Sequence, residues 1–200
     1  MKLEQLRGNL TYQALLLAGF SLLGSALLSF GDIKTHDVIA TRLAEDLKAS
    51  LEQMIPADYY DNDLLKDTML IDSETLVYLA KKDGKVSAVA FMLTTNSGYS
   101  GAIKSIIGID NQGQVLGVRV IAHAETPGLG DKIEAAKADW ILSFNGHSLT
   151  DLTEPQWKVK KDGGVFDQFS GATITPRAVV GSVYQGLLFF NQHREQLLKR

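Results

Sequence analysis

The chain has 200 residues, 45% of them hydrophobic and 22% charged, with a formal net charge of −3 and no cysteine. That length suits one ordinary domain with something added, and the charge gives no basic surface for nucleic acid. Without cysteine there is neither a disulfide framework nor a cysteine-held iron–sulfur cluster in this chain.

The added material is at the front. From Gly8 to Gly31 no residue is charged, and the core from Leu15 to Leu28 makes the stretch long enough to cross a hydrocarbon layer of about 30 Å as one helix. A cleaved signal peptide is the competing reading, because Lys2 and Arg7 give a positive start. The apolar run is longer than a usual signal core, however, and no Ala-x-Ala cleavage site follows it between Leu27 and Gly31. Residues 1–33 are therefore expected to be an N-terminal tail and a retained transmembrane anchor. Lys2 and Arg7 precede the span while Lys34, Arg42 and Lys48 follow it, so charge alone does not decide its orientation.

Beyond the span, Ile39, Leu43, Leu47, Leu51 and Met54 recur at a period near four, with Asp37, Arg42, Glu45, Asp46, Lys48 and Glu52 elsewhere, until Pro56 stops the pattern. This predicts an amphipathic helix that packs on the soluble part. Thr75 to Leu79 and Val86 to Leu93 then read as strands joined through Lys82-Asp83-Gly84-Lys85, a hairpin signal. Residues 34–95 thus carry the helix and a first hairpin. The loop Asn96 to Gly101 sets Tyr99 among small residues, and a second hairpin follows from Ile103 to Asp110 and Val115 to Ala122.

The strand ending at Ala122 runs into His123-Ala124-Glu125-Thr126-Pro127-Gly128-Leu129-Gly130-Asp131-Lys132. Pro127 presets a turn, the glycines expose backbone N–H and C=O groups, and Thr126 or Asp131 suits a helix cap. Ile133, Ala136, Trp140 and Phe144 mark a helix, after which Trp157 to Lys161 and Val165 to Phe169 flank Asp162-Gly163-Gly164 as a third hairpin. Antiparallel hairpins with helices inserted predict an α+β domain.

The last informative stretch is Asp167-Gln168-Phe169-Ser170-Gly171-Ala172-Thr173, followed by Ile174-Thr175-Pro176. Val180, Val183, Leu187 and Phe190 recur at helical spacing, Pro176 suits the first helical position and Thr175 the cap. Thr173 then lies just outside a helix N-terminus, where free N–H groups and the helix dipole favour an anion and where Gly171 and Ala172 permit close backbone approach. On local physics alone the segment is more often an ordinary turn and helix start.

Asp167-x-x-Ser170-Gly171-Ala172-Thr173 resembles the site at which a flavin transferase esterifies FMN, through its phosphate, to the last threonine in the FMN-binding domains of Rnf/Rsx complexes and of the sodium-translocating NADH:quinone oxidoreductase. Gly98-Tyr99-Ser100-Gly101, His123 to Lys132 and Asp167 to Pro176 stand in the family's order and spacing, over roughly residues 96 to 190. The span and length suit the G-type subunits of Rnf/Rsx complexes. The resemblance implies a bacterial inner-membrane protein crossing once, held in lipid by its N-terminal helix, with an FMN-binding domain at 96–192 on the periplasmic face and a tail at 193–200. It makes Thr173 the covalent FMN acceptor and Asp167 part of the transferase signal, and puts Ser170, Gly171, Ala172 and Thr175 around the phosphate. Glu125, Thr126, Gly128, Leu129, Gly130 and Lys132 fall to the ring end, with Leu129 covering an apolar face. The expected role is electron relay within an ion-translocating ferredoxin/NAD oxidoreductase, with the other subunits and the transferase as partners and no catalytic side chain in this chain. The alternatives are a protein like the C-type flavoprotein of the quinone reductase and a tethered, non-redox binding module.

Other chemistries find little support. Gly128-Leu129-Gly130 lacks the third glycine of a dinucleotide fingerprint and no Walker lysine follows a glycine loop. His36, His123, His147 and His193 are scattered without ligand spacing, so no metal site is expected, and no serine, histidine and acid set has a nucleophile-elbow context.

Overall fold

The computed structural model describes residues 10–199; Lys2, Arg7 and Gly8, invoked above for the start of the span, lie outside them. The chain divides into two compact units between Leu47 and Lys48.

The first unit consists, over its described residues, of most of helix α1, Leu10–Met54, 45 residues long. The span and the amphipathic segment are thus one continuous helix. It is long and apolar enough to cross a membrane, and Leu15, Leu17, Phe20, Leu22, Leu27 and Phe30 all stand exposed. The expectation that the second apolar stripe packs on the soluble part holds only at its end. Ile39 and Leu43 are exposed, whereas Leu51 and Met54 are buried within the second unit, together with Ile55. Pro56 follows directly, where its missing N–H and fixed φ end the helix.

The second unit is built on an antiparallel sheet of five strands in the order β1-β2-β3-β4-β5: Thr68–Ile71, Thr75–Lys82, Lys85–Thr95, Ile103–Asp110 and Val115–Ala122. The two expected hairpins form, and the second has the expected limits. β1 carries no alternation strong enough to announce it; it pairs with β2 from Thr68↔Tyr78 to Ile71↔Thr75. Phe91 and Ile107 face each other across β3 and β4 on the side that helix α2, Ile174–Leu198, covers with Val179, Val183, Leu187 and Phe190. On the opposite side the last turn of α1 meets a glycine. A Cβ on Gly117 would come within 3.1 Å of Met54, so the missing side chain is the seat of that turn.

Two expectations fail between β5 and α2. The helix marked by Ile133, Ala136, Trp140 and Phe144 is replaced by two short 3-10 turns, Gly130–Ile133 and Asp139–Phe144. Ile133, Ile141 and Phe144 still reach the core, but at the tighter 3-10 spacing, and Ala136 is exposed. Nor is there a third hairpin: residues 157–169 contain the 3-10 turn Lys160–Asp162 and a single bridge between Val159 and Phe166. Trp157 and Phe166 both turn inward, 5.4 Å apart, and Phe166 lies 4.6 Å from Phe144. Filling one aromatic cluster from both arms coils the chain back on itself, which a ladder of alternating side chains would not allow.

Candidate functional site

β3 and β5 are separated by two antiparallel steps, so the loops that leave them emerge at the same end of the sheet. The N-terminus of α2 arrives there as well. Tyr99 from the first loop, Glu125, Thr126, Leu129 and Gly130 from the second, and Gly171, Ala172, Thr173, Ile174 and Thr175 from the third segment line one cleft of 380 Å3. That size is within the range of small-molecule and cofactor sites.

Each loop is shaped by a turn legible in its sequence. In Thr126-Pro127-Gly128-Leu129 the Leu129 N–H donates to the Thr126 carbonyl at 3.1 Å, and Gly128 has φ +78°. That is a type II turn with proline and glycine where each is favoured. In Phe169-Ser170-Gly171-Ala172 the Ala172 N–H donates to the Phe169 carbonyl at 3.3 Å and Gly171 has φ +83°. A Cβ on Gly171 would stand 3.4 Å from Leu129, so the two turns face each other closely. Asp167, just upstream, is exposed. Trp140 Nε1 donates to its backbone carbonyl at 2.8 Å, and Lys160 pairs with its carboxylate at 2.7 Å.

The helix start departs from expectation by two residues. Helix α2 begins at Ile174 with Thr173 as N-cap, and the Thr173 side chain caps nothing. Thr175, expected to be the cap, is instead in the first turn and fully buried. Its hydroxyl donates to Glu125 Oε2. The other carboxylate oxygen, Oε1, accepts the Ser100 N–H at 3.0 Å, so Glu125 joins all three segments of the cleft. Glu125 is 4% exposed, and no lysine, arginine or histidine pairs with it among the described residues. Its carboxyl group is held by a hydroxyl and a backbone N–H. Two glycines make room for it: a Cβ on Gly98 would lie 2.8 Å from Oε1 and one on Gly130 2.9 Å from Oε2. Upstream, the Glu125 N–H donates to His123 Nδ1 at 3.0 Å while His123 Nε2 meets Glu134 at 2.9 Å, so His123 is a structural link.

Of the residues picked from the sequence, Gly171, Ala172, Thr173, Thr175, Glu125, Thr126, Leu129 and Gly130 come together around the cleft. Ser170, Gly128 and Lys132 do not line it; the first two shape its turns. Ile174, an apolar residue at a helix start and so unmarked by any functional signal, is 43% exposed and forms part of the wall. Tyr99 was signalled as an aromatic among small residues, in a loop that the family resemblance includes.

An FMN-binding domain family matches residues 98–187. The G subunit of the ion-translocating oxidoreductase complex of Cereibacter sphaeroides is 51% identical over 188 residues, covering 92% of this chain and 85% of that protein. The chain belongs to the family of these G subunits. Members from Vibrio cholerae serotype O1, 45% identical over 190 residues, and from Shewanella oneidensis, 44% identical over 194, cover 92% and 93% of this chain and 91% and 92% of their own lengths. The match to the FMN-binding domain takes in every segment that lines the cleft: it opens at Gly98, beside Tyr99, and runs on to Leu187 in α2. Most of helix α1 lies before that domain but inside the alignment with the longer relatives, as coverage above nine-tenths of the chain requires.

Proposed function

We propose that this chain is a membrane-anchored flavoprotein that carries FMN esterified through its phosphate to Thr173 and relays electrons as one subunit of an ion-translocating oxidoreductase complex. The observation that carries the reading is the position of Thr173. Its residue closes a helix N-terminus whose first N–H groups have no intrahelical acceptor and no side-chain cap, on the wall of a cleft sized for a cofactor. A phosphate diester there keeps one negative charge where the helix dipole favours it.

The residues present fit the group. The Gly171 turn presents the acceptor, the Thr126 to Gly130 turn offers backbone donors and acceptors to the polar edge of a ring, and Leu129 and Tyr99 offer apolar surface to its faces. When bound, FMN supplies the electron transfer, taking up two electrons and releasing them singly. The protein attaches, orients and partly shields it. Glu125 holds the three walls in register, and no side chain is needed as acid or base.

The same reading makes exposed Asp167 part of the signal for a flavin transferase, places the second unit on the periplasmic face, and has the apolar part of α1 anchor the chain in lipid. The other subunits of the complex are its electron partners. The test is co-expression with a flavin transferase, followed by a denaturing gel under ultraviolet light. The parent should fluoresce and Thr173→Ala should be dark with an unchanged circular dichroism spectrum. Fluorescence that survives in Thr173→Ala and disappears in Thr175→Val would move the acceptor.

A further inference from the structure

Among the described residues that line the cleft, Glu125 has the one carboxyl group, and no lysine, arginine or histidine stands in the wall with it. Joining three walls by hydrogen bonds does not call for an acid, because a glutamine of the same length offers an oxygen and an NH2 group to the same two partners. What the acid adds is a charge.

The bonds around Glu125 satisfy its ionised form. The Ser100 N–H can only donate, and the Thr175 hydroxyl has no acceptor other than Glu125 Oε2 among the described residues. A protonated carboxyl would need an acceptor for its own proton and would leave the Thr175 hydroxyl, at 0% exposure, without one. Thr175 stands in the first turn of α2, so the same oxygen lies at the end of the helix that favours an anion. Its loop brings no counter-charge. His123 accepts the Glu125 N–H at Nδ1 and turns Nε2 to Glu134, which leaves the ring uncharged, and Lys137 is set against the buried Asp131 at 3.7 Å.

We propose that Glu125 is an ionised carboxylate that sets the reduction potential of the flavin in this cleft, holding it lower than a neutral wall would. An electron added beside a fixed negative charge is opposed by it, and burial keeps water from screening that repulsion. Glu125 therefore tunes the cofactor as well as tying its walls together. The inference rests on the flavin assignment and adds to it the side chain that makes the bound group a stronger reductant.

The experiment titrates the full chain against redox dyes after co-expression with a flavin transferase, as the parent, Glu125→Gln and Glu125→Asp. The first variant removes the charge and keeps the length; the second keeps the charge and shortens the arm between the walls. Glu125→Gln, with flavin attached as in the parent, should take up its first electron about ten-fold more favourably, an upward shift of about 59 mV. Glu125→Asp should move much less. If either variant does not fold, the reduced-minus-oxidised infrared spectrum of the parent decides, and it should contain a shifted carboxylate band without a band from a protonated carboxyl in the oxidised state. An unmoved or lowered potential in Glu125→Gln, an equal shift in Glu125→Asp, a protonated carboxyl in the oxidised parent, or no carboxylate band at all would overturn the proposal. A parent that is dark on the denaturing gel removes the flavin assignment and this inference together, whereas a fluorescent parent with any of those results removes this inference alone.

Discussion

Glu125 is a carboxylate removed from water and answered by a hydroxyl and an N–H rather than by a cation. Such a group tolerates losing a donor poorly, because the remaining oxygen stays buried and unsatisfied. Thr175→Val, which keeps the shape and removes the hydroxyl, should therefore destabilise the second unit by about 1–3 kcal/mol in chemical denaturation. A loss within about 0.5 kcal/mol, the usual scatter for surface changes, would show that the bond contributes nothing. A different result is expected at Gly128. There φ is +78° and a Cβ would meet nothing within 4 Å, so Gly128→Val acts through backbone strain alone. The strain reshapes the turn that bears Leu129, which the proposed function sets at the ring end of the flavin, while Thr173 stays accessible. Attached flavin with a shifted midpoint potential is the expected outcome of a redox titration. Full attachment at the parent potential would return this turn to a purely structural role.

At the scale of elements, the end of α1 belongs to the second unit through Leu51, Met54 and Ile55. A chain beginning at Lys48 should fold and take up flavin without its anchor when exported with the transferase. One beginning at Ala57 uncovers Gly117 and loses three buried side chains, at roughly 2 kcal/mol or more each, and should melt well below the longer one. Equal melting temperatures would contradict the burial. The 3-10 turn at Lys160–Asp162 is tied to the first turns of α2 by Arg177, whose Nε and Nη2 donate to Asp162 at 2.5 and 2.7 Å. The Arg177 hydrogen bond holds the Asp162 carboxyl below its ordinary value, and the bonds from Asn62 and Lys81 do the same for Asp67. Their contribution is thus complete above the unfolded-state value near 3.9 and is lost as pH falls through the lower folded values. Thermal unfolding should lose stability as pH is taken below about 4, and Asp162→Asn should flatten that decline; a variant with the parent's slope would rule the pair out. β4 and β5 were legible because β-branched runs flank a glycine turn, and the Pro127-Gly128 turn because its type dictates its residues. β1 was not, being four residues held by pairing with β2. The coil at 157–169 was hidden because its shape is set by Phe144, distant in sequence, and Thr175 was misplaced because a threonine beside a helix start reads as a cap until its carboxylate partner, fifty residues away, is seen.

For the whole molecule, one continuous helix with an apolar first half precedes a sheet whose one end gathers three loops around a cleft, and relatives across several bacteria share nearly the whole length. Electron relay needs the flavin to be retained, oriented and reachable. In the proposed reading a covalent link would secure the first, the two facing turns the second, and an open cleft at the sheet end the third. The central claim is the link at Thr173, and mass spectrometry tests it most directly. Trypsin acting on the protein co-expressed with a flavin transferase releases residues 162–177, a peptide that holds both Thr173 and Thr175. The account predicts that this peptide is heavier by one FMN less one water, and that fragments broken between the two threonines place the added mass on the Thr173 side. An unmodified peptide, or the added mass on the Thr175 side, would contradict it.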